Sequence, residues 1–198
     1  GTGERAIALP APVACAFLPG AHYTRRLARQ AHAGGKEVML HLPMQSVDHA
    51  EPEPRALVLD MTRRQFINTL DNGLAAVPHV SGINNHRGSL ITRHPGHMGW
   101  LMQALRERGG LFFVDSRTTA ATVAARVAQE YGVPVTERKV FLDNDRAPAA
   151  IRAQFLRPGV FAFKPGQKRF HSRAHFGVRR RGNFRHLRMV LSTPVFRN

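Results

Sequence analysis

The sequence lacks several features that would assign it to a class at once. Cys15 is its only cysteine, which excludes an internal disulfide and a cysteine-based zinc site; within an apolar segment it is interpreted as a packed thiol. No apolar run approaches the ~20 residues that a membrane span requires. No signal peptide is visible, and because the chain does not begin with Met we expect an N-terminal segment to be missing.

Acidic residues are absent from the last quarter of the chain. Residues 1–151 hold 17 Lys and Arg against 13 Asp and Glu, a net charge of +4, whereas residues 152–198 hold 12 Lys and Arg and no acid. Periodicity fails after Leu156, and the apolar groups at 161–163 and 190–191 are too short to predict strands. We therefore predict one domain over residues 1–156, followed by a poorly ordered basic tail over residues 157–198.

Three interpretations of this basic tail are open. It is a solvated segment without function, a product of a reading-frame change in GC-rich coding sequence, or a segment that binds nucleic acid. A net charge of +12 predicts non-specific binding to phosphate polymers at low salt. The tail has no regular interleaving of aromatic residues and no recognised nucleic-acid module, so we expect such binding to be non-specific only.

The first 156 residues alternate between short apolar segments and amphipathic segments of ten to fifteen residues. This alternation predicts right-handed βαβ units and a mostly parallel sheet. A loop is predicted at 43–59, because Pro43, Pro52 and Pro54 exclude a long helix there, and loops of this length are often functional. The predicted strands are 13–18, 37–40, 80–83, 111–114 and 133–135 with 139–142, and the predicted helices are 23–33, 62–76, 94–108, 120–131 and 148–155.

Polar side chains follow four of the predicted strands. His41, Asn84-Asn85-His86, Asp115 and Asp143 each come directly after an apolar run. Buried polar groups cost free energy unless they are hydrogen-bonded or bind a ligand. Their position at the carboxyl ends of strands is typical of the active site of an α/β barrel or a doubly wound sheet.

Two of these side chains are imidazoles, and the pair indicates a candidate metal site. His41 and His86 follow separate strands, so the fold can bring them to one point. Two imidazoles and a carboxylate form a common site for zinc or a similar divalent ion. The alternative is that each histidine is a hydrogen-bonded structural residue. The other histidines share no predicted face and are interpreted as surface residues.

The carboxylates and the arginine have competing interpretations. Asp115 and Asp143 are candidate ligands, general bases or partners of a histidine N–H. Asp143 and Asp145 precede a helix, so a turn and a helix cap explain them equally well, and we favour this for Asp145. Arg117 is a candidate active-site residue or one half of a structural ion pair. Asn84 and Asn85 are candidates to orient His86 or to bind sugar hydroxyls, and Ser89 offers a hydroxyl beside them.

Taken together, these motifs resemble the divergent polysaccharide deacetylase family over about residues 5–156. Five ordered motifs carry the resemblance: Ala16-Phe17-Leu18-Pro19, Glu37-Val38-Met39-Leu40-His41-Leu42-Pro43-Met44, Ile83-Asn84-Asn85-His86-Arg87-Gly88-Ser89, Phe112-Phe113-Val114-Asp115-Ser116-Arg117-Thr118-Thr119 and Val140-Phe141-Leu142-Asp143-Asn144-Asp145.

The resemblance implies an α/β fold, a distorted parallel (β/α) barrel of the polysaccharide-deacetylase type, whose first and last strands we expect to be missing here. It implies metal-dependent hydrolysis of amide C–N bonds in a polysaccharide or peptidoglycan-like glycan, in the periplasm or cell envelope. It makes His41 and His86 the expected ligands of a divalent metal, with zinc the expected ion. The expected catalytic residues are Asp115, Arg117 and Asp143, and the expected substrate-binding residues are Asn84, Asn85 and Ser89.

The sequence departs from the family at three points. Arg87 stands where the family commonly has Met. The family's Asp-Asp pair, a metal ligand and the base, would lie just upstream of residue 1, and its Gly-His-Pro strand, which carries the general acid, has no counterpart after Leu156. We therefore expect little or no hydrolysis by this chain. The alternative is a non-catalytic envelope protein that binds glycan or a protein partner.

Overall fold

A computed structural model describes residues 2–10, 13–48, 51–141, 145, 147–155 and 190–192. Within them, strands alternate with helices as the sequence predicts. The strands are β1 (Ala14–Phe17), β2 (Glu37–Met44), β3 (Gly82–Arg87), β4 (Phe112–Asp115), β5 (Val135–Glu137) and β6 (Val190–Ser192). The helices are α1 (Thr2–Ile7), α2 (Thr24–Ala33), α3 (Arg63–Ala76), α4 (Pro95–Arg108), α5 (Ala124–Glu130) and α6 (Pro148–Phe155), with a 3₁₀ turn at Ile91–Arg93.

The described strands form one parallel sheet in the order β5-β4-β3-β2-β1-β6. This confirms the predicted α/β class and the parallel pairing. The sheet is not closed among the described residues, so closure into a barrel stays a prediction. Parallel pairing places the carboxyl ends of all these strands at one edge, which is where the polar motifs of the sequence lie.

The two faces of the sheet differ in what covers them. Alternate strand residues such as Phe17, Leu40 and Phe113 pack with helix residues such as Phe66 and Leu101 in the main apolar core. A small cluster on the opposite face comes from strands alone, and consists of Ala14, Ala16, Met39 and Val114 with Phe112 beside it. The helices therefore cover one face of the described sheet, and the opposite face has only this smaller apolar cluster.

Local sequence signals explain how the best-predicted helix begins. Thr62 accepts a hydrogen bond from the Gln65 N–H, and the Gln65 side chain accepts from the Thr62 N–H, so a complete capping box starts α3. The helix ends at Ala76, as predicted, and buries Phe66 and Leu70 against the sheet. Among the described residues, no helix is both long and apolar enough to span a bilayer.

Several elements differ from the prediction. Helix α1 lies where no element was predicted, and strand β6 pairs with β1 in a region predicted to be without strands. Helix α5 begins at Ala124 rather than at 120, after a turn in which the Thr122 hydroxyl accepts from the Ala124 N–H. Strand β5 covers Val135–Glu137, so it starts at the last residue of the first predicted piece and ends before the second.

Candidate functional site

The candidate site lies on the carboxyl-terminal halves of β2 and β3. His41 is paired with Asn84 across the parallel ladder, and Pro43 is paired with His86. Side chains alternate between the faces of a strand, so His41, Asn84 and His86 all point to the face opposite the helices. There they lie beyond Met39 of the small strand cluster. The predicted convergence of the two imidazoles is what the structure shows.

The imidazoles form a continuous chain of polar contacts. The His41 Nδ1 lies 3.0 Å from the Asn84 Oδ1, and the His41 Nε2 lies 2.8 Å from the His86 Nδ1. The His86 Nε2 then lies 3.0 Å from the Glu53 Oε2, at an ion-pair distance but outside hydrogen-bond geometry. In each ring, one nitrogen (the outer nitrogen: His41 Nδ1 or His86 Nε2) lies near an oxygen, and the other (the inner nitrogen) faces the other ring.

Burial keeps both rings in their neutral form. Burial and, to a smaller extent, the neighbouring His86 lower the pKa of His41 to about 3, while the hydrogen bond with Asn84 opposes the shift. Burial also lowers the pKa of His86, against the opposing effect of the Glu53 carboxylate. Neutral imidazole is the form that binds metal ions.

The placement of hydrogens in this chain of contacts depends on the tautomer of His86. The Asn84 amide nitrogen donates to the Ser116 Oγ at 3.3 Å, which turns its oxygen toward His41. An amide oxygen only accepts, so the His41 hydrogen lies on Nδ1 and its Nε2 has the lone pair. The contact between the rings is a hydrogen bond when the His86 hydrogen lies on Nδ1. With that hydrogen on Nε2, beside the Glu53 carboxylate, two lone pairs would face each other at 2.8 Å.

This arrangement fits a metal ion held by the two inner nitrogens. Zn–N bonds are about 2.0–2.1 Å long, so nitrogens 2.8 Å apart are close enough to contact one ion. A metal-bound histidine almost always donates its other N–H to an oxygen, as the contacts with Asn84 and Glu53 allow. In the part of the chain that the structure describes, however, no group of three or more His, Cys, Asp or Glu could hold a metal.

Glu53 is the site residue that the sequence analysis missed. It lies in the predicted loop between β2 and α3 and reaches over to the end of β3. Its other carboxylate oxygen, Oε1, lies 3.0 Å from the Arg87 Nη2. The available signal was the run Glu51-Pro52-Glu53-Pro54 in a loop too long to be a simple connection.

Asp115 lies elsewhere, although it too follows an apolar strand. It shares the helix-covered face of the sheet with Phe113 and is fully buried. Its Oδ1 accepts from the Arg117 N–H at 2.8 Å and its Oδ2 accepts from the Thr122 hydroxyl at 2.8 Å. The structure therefore shows no contact between Asp115 and either imidazole, and the roles of histidine partner fall to Asn84 and Glu53.

Arg117 forms the structural ion pair that was one of its two interpretations. Its Nη1 lies 3.0 Å from the Glu137 Oε1, and both side chains are largely exposed. Asp145 accepts from the Ala147 N–H just before α6, as expected of a turn residue. Asp143 lies outside the described residues.

Asn85 and Ser89 hold loops in place near the site. The Asn85 Nδ2 donates to the Arg87 carbonyl at 2.7 Å, and its Oδ1 accepts from the Ser116 N–H at 2.8 Å. The Ser89 Oγ accepts from the Val47 N–H at 3.0 Å. Both side chains are buried and already have partners, and their predicted role in binding substrate stays a prediction.

The other histidines do not all behave as independent surface residues. His32 and His79 stack with ring centroids 4.0 Å apart at the amino-terminal edge of the sheet. His97 is half-buried, and its Nε2 lies 3.1 Å from the Leu59 carbonyl oxygen. The prediction that these residues share no face is wrong for the first pair, because helix α2 and the loop before β3 meet there.

The fold and the site define the class of this protein: a parallel α/β protein with a buried imidazole and a partly buried one in contact at the carboxyl ends of adjacent strands. A sequence model of the family described as divergent polysaccharide deacetylase matches residues 1–168. The chain belongs to the divergent polysaccharide deacetylase family.

Relatives from two bacteria support this assignment. The chain is 40% identical over 154 residues to the uncharacterized protein YibQ of Escherichia coli, covering 78% of this chain and 48% of the relative. It is 36% identical over 159 residues to an uncharacterized protein of Haemophilus influenzae, covering 80% of this chain and 56% of the relative. The chain thus spans about half the length of these curated relatives.

A solved structure shows the same fold. The crystal structure of the uncharacterized protein ATU2773 from Agrobacterium tumefaciens matches with a TM-score of 0.70 at 22% sequence identity. The match covers 77% of this chain and 63% of that protein. At this identity the likeness shows the fold alone.

Proposed function

We propose that this chain is part of a metal-dependent hydrolase that cleaves amide C–N bonds in a polysaccharide or peptidoglycan-like glycan. His41 and His86 are the proposed protein ligands of a divalent metal, with zinc the proposed ion. The family suggests a glycan as the partner. We further propose that the protein acts in the periplasm or cell envelope.

One observation carries this proposal: the His41 Nε2 and the His86 Nδ1 lie 2.8 Å apart at the carboxyl ends of adjacent strands. The Asn84 oxygen favours a hydrogen on the His41 Nδ1. With the His86 hydrogen on Nε2, beside the Glu53 carboxylate, both inner nitrogens have lone pairs with which to bind a cation.

In the proposed reaction, the two histidines would bind the metal ion, and neighbouring residues would orient the histidine rings. Asn84 holds the His41 ring, and Ser116 in turn holds the Asn84 amide. A bound divalent ion would lower the pKa of a water ligand and polarise the acetyl carbonyl. The catalytic role predicted for Asp115 stays a prediction; its carboxylate accepts hydrogen bonds from the Thr122 hydroxyl and the Arg117 N–H on the other face of the sheet.

We expect the 198-residue chain to bind zinc but to turn over substrate slowly or not at all. Two imidazoles without a third protein ligand in the described part of the chain leave the ion weakly held, and residual catalysis from such a site is small. Calorimetry should show one zinc ion bound per chain, and His86→Ala should abolish binding. Stoichiometric binding that survives both His41→Ala and His86→Ala would contradict the assignment.

A second assay tests the reaction itself. A chromogenic acetyl ester and an N-acetylglucosamine oligomer should both show little turnover with added zinc. Rapid turnover that His86→Ala abolishes would show that the chain is a competent enzyme and that the expected impairment is wrong.

The competing proposal, a non-catalytic envelope protein, makes a different prediction. The scarcity of metal ligands among the described residues favours it over catalysis by this chain alone. It predicts binding to a glycan oligomer that a chelator leaves unchanged. The metal proposal predicts that the chelator weakens such binding.

A further inference from the structure

The segment that carries Glu53 is hydrogen-bonded to the carboxyl-terminal end of β2. Leu57 donates its N–H to the Pro43 carbonyl at 2.9 Å, and Gln45 donates its N–H to the Leu57 carbonyl at 2.9 Å. The Gln45 side chain also accepts from the Leu59 N–H at 2.9 Å. Leu57 is fully buried, so the loop is fixed beside β2 and brings Glu53 to a defined position over β3.

A backbone feature at Arg87 lets two consecutive side chains reach one carboxylate. Consecutive residues of a strand point to opposite faces. Arg87 has φ 55°, in the left-handed region, so the alternation breaks there. The Arg87 carbonyl accepts from Asn85 at 2.7 Å and from the Thr118 hydroxyl at 2.9 Å, which stabilises this conformation.

The result is that both oxygens of Glu53 have a basic partner. Its Oε2 lies 3.0 Å from the His86 Nε2, and its Oε1 lies 3.0 Å from the Arg87 Nη2. The Glu53 side chain is 28% exposed and that of His86 is 19% exposed. An ion pair with Arg87 alone would have little effect at such a surface, but the carboxylate also touches an imidazole of the proposed site.

We propose that Glu53 is a positioning residue for His86. The negative charge of its carboxylate, 3.0 Å from Nε2, favours the hydrogen of the neutral ring on that nitrogen, so that the Nδ1 lone pair faces the His41 Nε2. Arg87 holds the carboxylate in place. This inference rests on the proposed function, because the lone pair matters only if His41 and His86 bind a metal together.

Glutamine is the informative substitution at this position. It has nearly the shape of glutamate, but its amide group both donates and accepts. Glu53→Gln can therefore satisfy either tautomer of His86 and no longer enforces one. Glu51→Gln is the matched control, since Glu51 is an exposed carboxylate two residues earlier in the same loop.

Nitrogen-15 NMR of the metal-free protein at pH 8 reads the tautomer directly. In the wild type and in Glu51→Gln, the neutral His86 ring should carry its hydrogen on Nε2. In Glu53→Gln, the Nδ1 and Nε2 shifts should move toward each other as both tautomers become populated. Unchanged His86 shifts in Glu53→Gln would overturn the proposal.

Zinc titration supplies the second measurement. Loss of an outer partner of a metal-bound histidine costs about 10–100-fold in affinity, so Glu53→Gln should raise the zinc Kd by about that factor. Glu51→Gln should leave the Kd unchanged, and His86→Ala marks complete loss of the site. An unchanged Kd in Glu53→Gln would also overturn the proposal.

The two measurements separate failure of this inference from failure of the proposed function. A wild type that binds no zinc overturns the metal site, and the NMR tautomer then decides whether Glu53 orients His86. A wild type that binds zinc through His41 and His86, with no effect of Glu53→Gln, removes only the role of Glu53.

Discussion

The carboxyl ends of β2 and β3 and those of β4 and β5 look alike in the sequence but differ in the structure. At β2 and β3, the His41 Nε2 and the His86 Nδ1 lie 2.8 Å apart, and the His86 Nε2 has no hydrogen-bond partner among the described residues. At β4 and β5, Asp115 accepts two hydrogen bonds and Arg117 pairs with Glu137. The first region has unused capacity to bind a ligand, whereas the second is internally satisfied, so the first is the better candidate for function.

The largest effect that this comparison predicts is on zinc binding by His41→Ala. Loss of an inner nitrogen should weaken zinc binding by more than ~100-fold, beyond the range for loss of an outer partner. Calorimetry with zinc measures it. His32→Ala is the control, because His32 lies at the opposite edge of the sheet. Equal loss of binding in both variants would remove the distinction between the two edges.

Asp115→Ala should lower the stability of the protein and leave its zinc affinity almost unchanged. It leaves the Thr122 hydroxyl and the Arg117 N–H without their buried acceptor, which should lower the free energy of unfolding by about 2 kcal/mol. Zinc affinity should stay within about twofold, because Asp115 touches neither imidazole. Urea denaturation and zinc titration of the same variant test both statements. A large loss of affinity in a folded Asp115→Ala protein would contradict the comparison.

The pH dependence of stability should show a smaller effect of the same carboxylate. Burial raises the pKa of Asp115 above its ordinary 3.8, and the two hydrogen bonds oppose this only in part. The native state thus holds this proton more tightly than the unfolded state does. The contribution of the group is fully present below pH 3.8 and is lost as the pH rises through the folded pKa.

Asp115→Asn isolates this effect, since asparagine does not titrate. The free energy of unfolding of the wild type, relative to that of the variant, should fall as the pH rises from about 4 and then level off. Denaturation curves for both proteins at matched pH values give this difference. A relative stability that rises over the same interval would show that the folded pKa is lowered instead.

Arg117→Ala should have the smallest effect. The ion pair with Glu137 is exposed, and such pairs contribute about 0–1 kcal/mol. Thermal unfolding in low and high salt measures it, and salt should remove the small difference between variant and wild type. A deficit of several kcal/mol would mean that Arg117 has a structural role beyond this pair.

The sequence was sufficient to predict the layout of the sheet. Short apolar runs and amphipathic segments predicted the strands and helices, and parallel pairing then placed His41 and His86 at one edge. The face on which each polar residue lies was harder to predict. It depends on whether a side chain occupies an odd or even position of its strand, and a one-residue uncertainty in the strand end reverses the answer. This uncertainty is why Asp115 was grouped with the histidines.

Glu53 could not be predicted for a different reason. Its approach to His86 depends on how a long loop returns to β2 and on the left-handed conformation of Arg87. Neither follows from periodicity. Arg87, which the sequence analysis noted only as a departure from the commoner Met, has a physical role in the structure as the second partner of Glu53.

The attachment of Leu57 to β2 has a consequence for how the site opens. A loop bound through a buried leucine and paired backbone groups does not swing as a free lid. It separates from the sheet only when the local structure opens cooperatively, which costs more free energy than the motion of an unattached loop. The amides of Gln45 and Leu57 should therefore exchange with deuterium as slowly as those of the sheet itself, and ligands should enter and leave without displacing this segment.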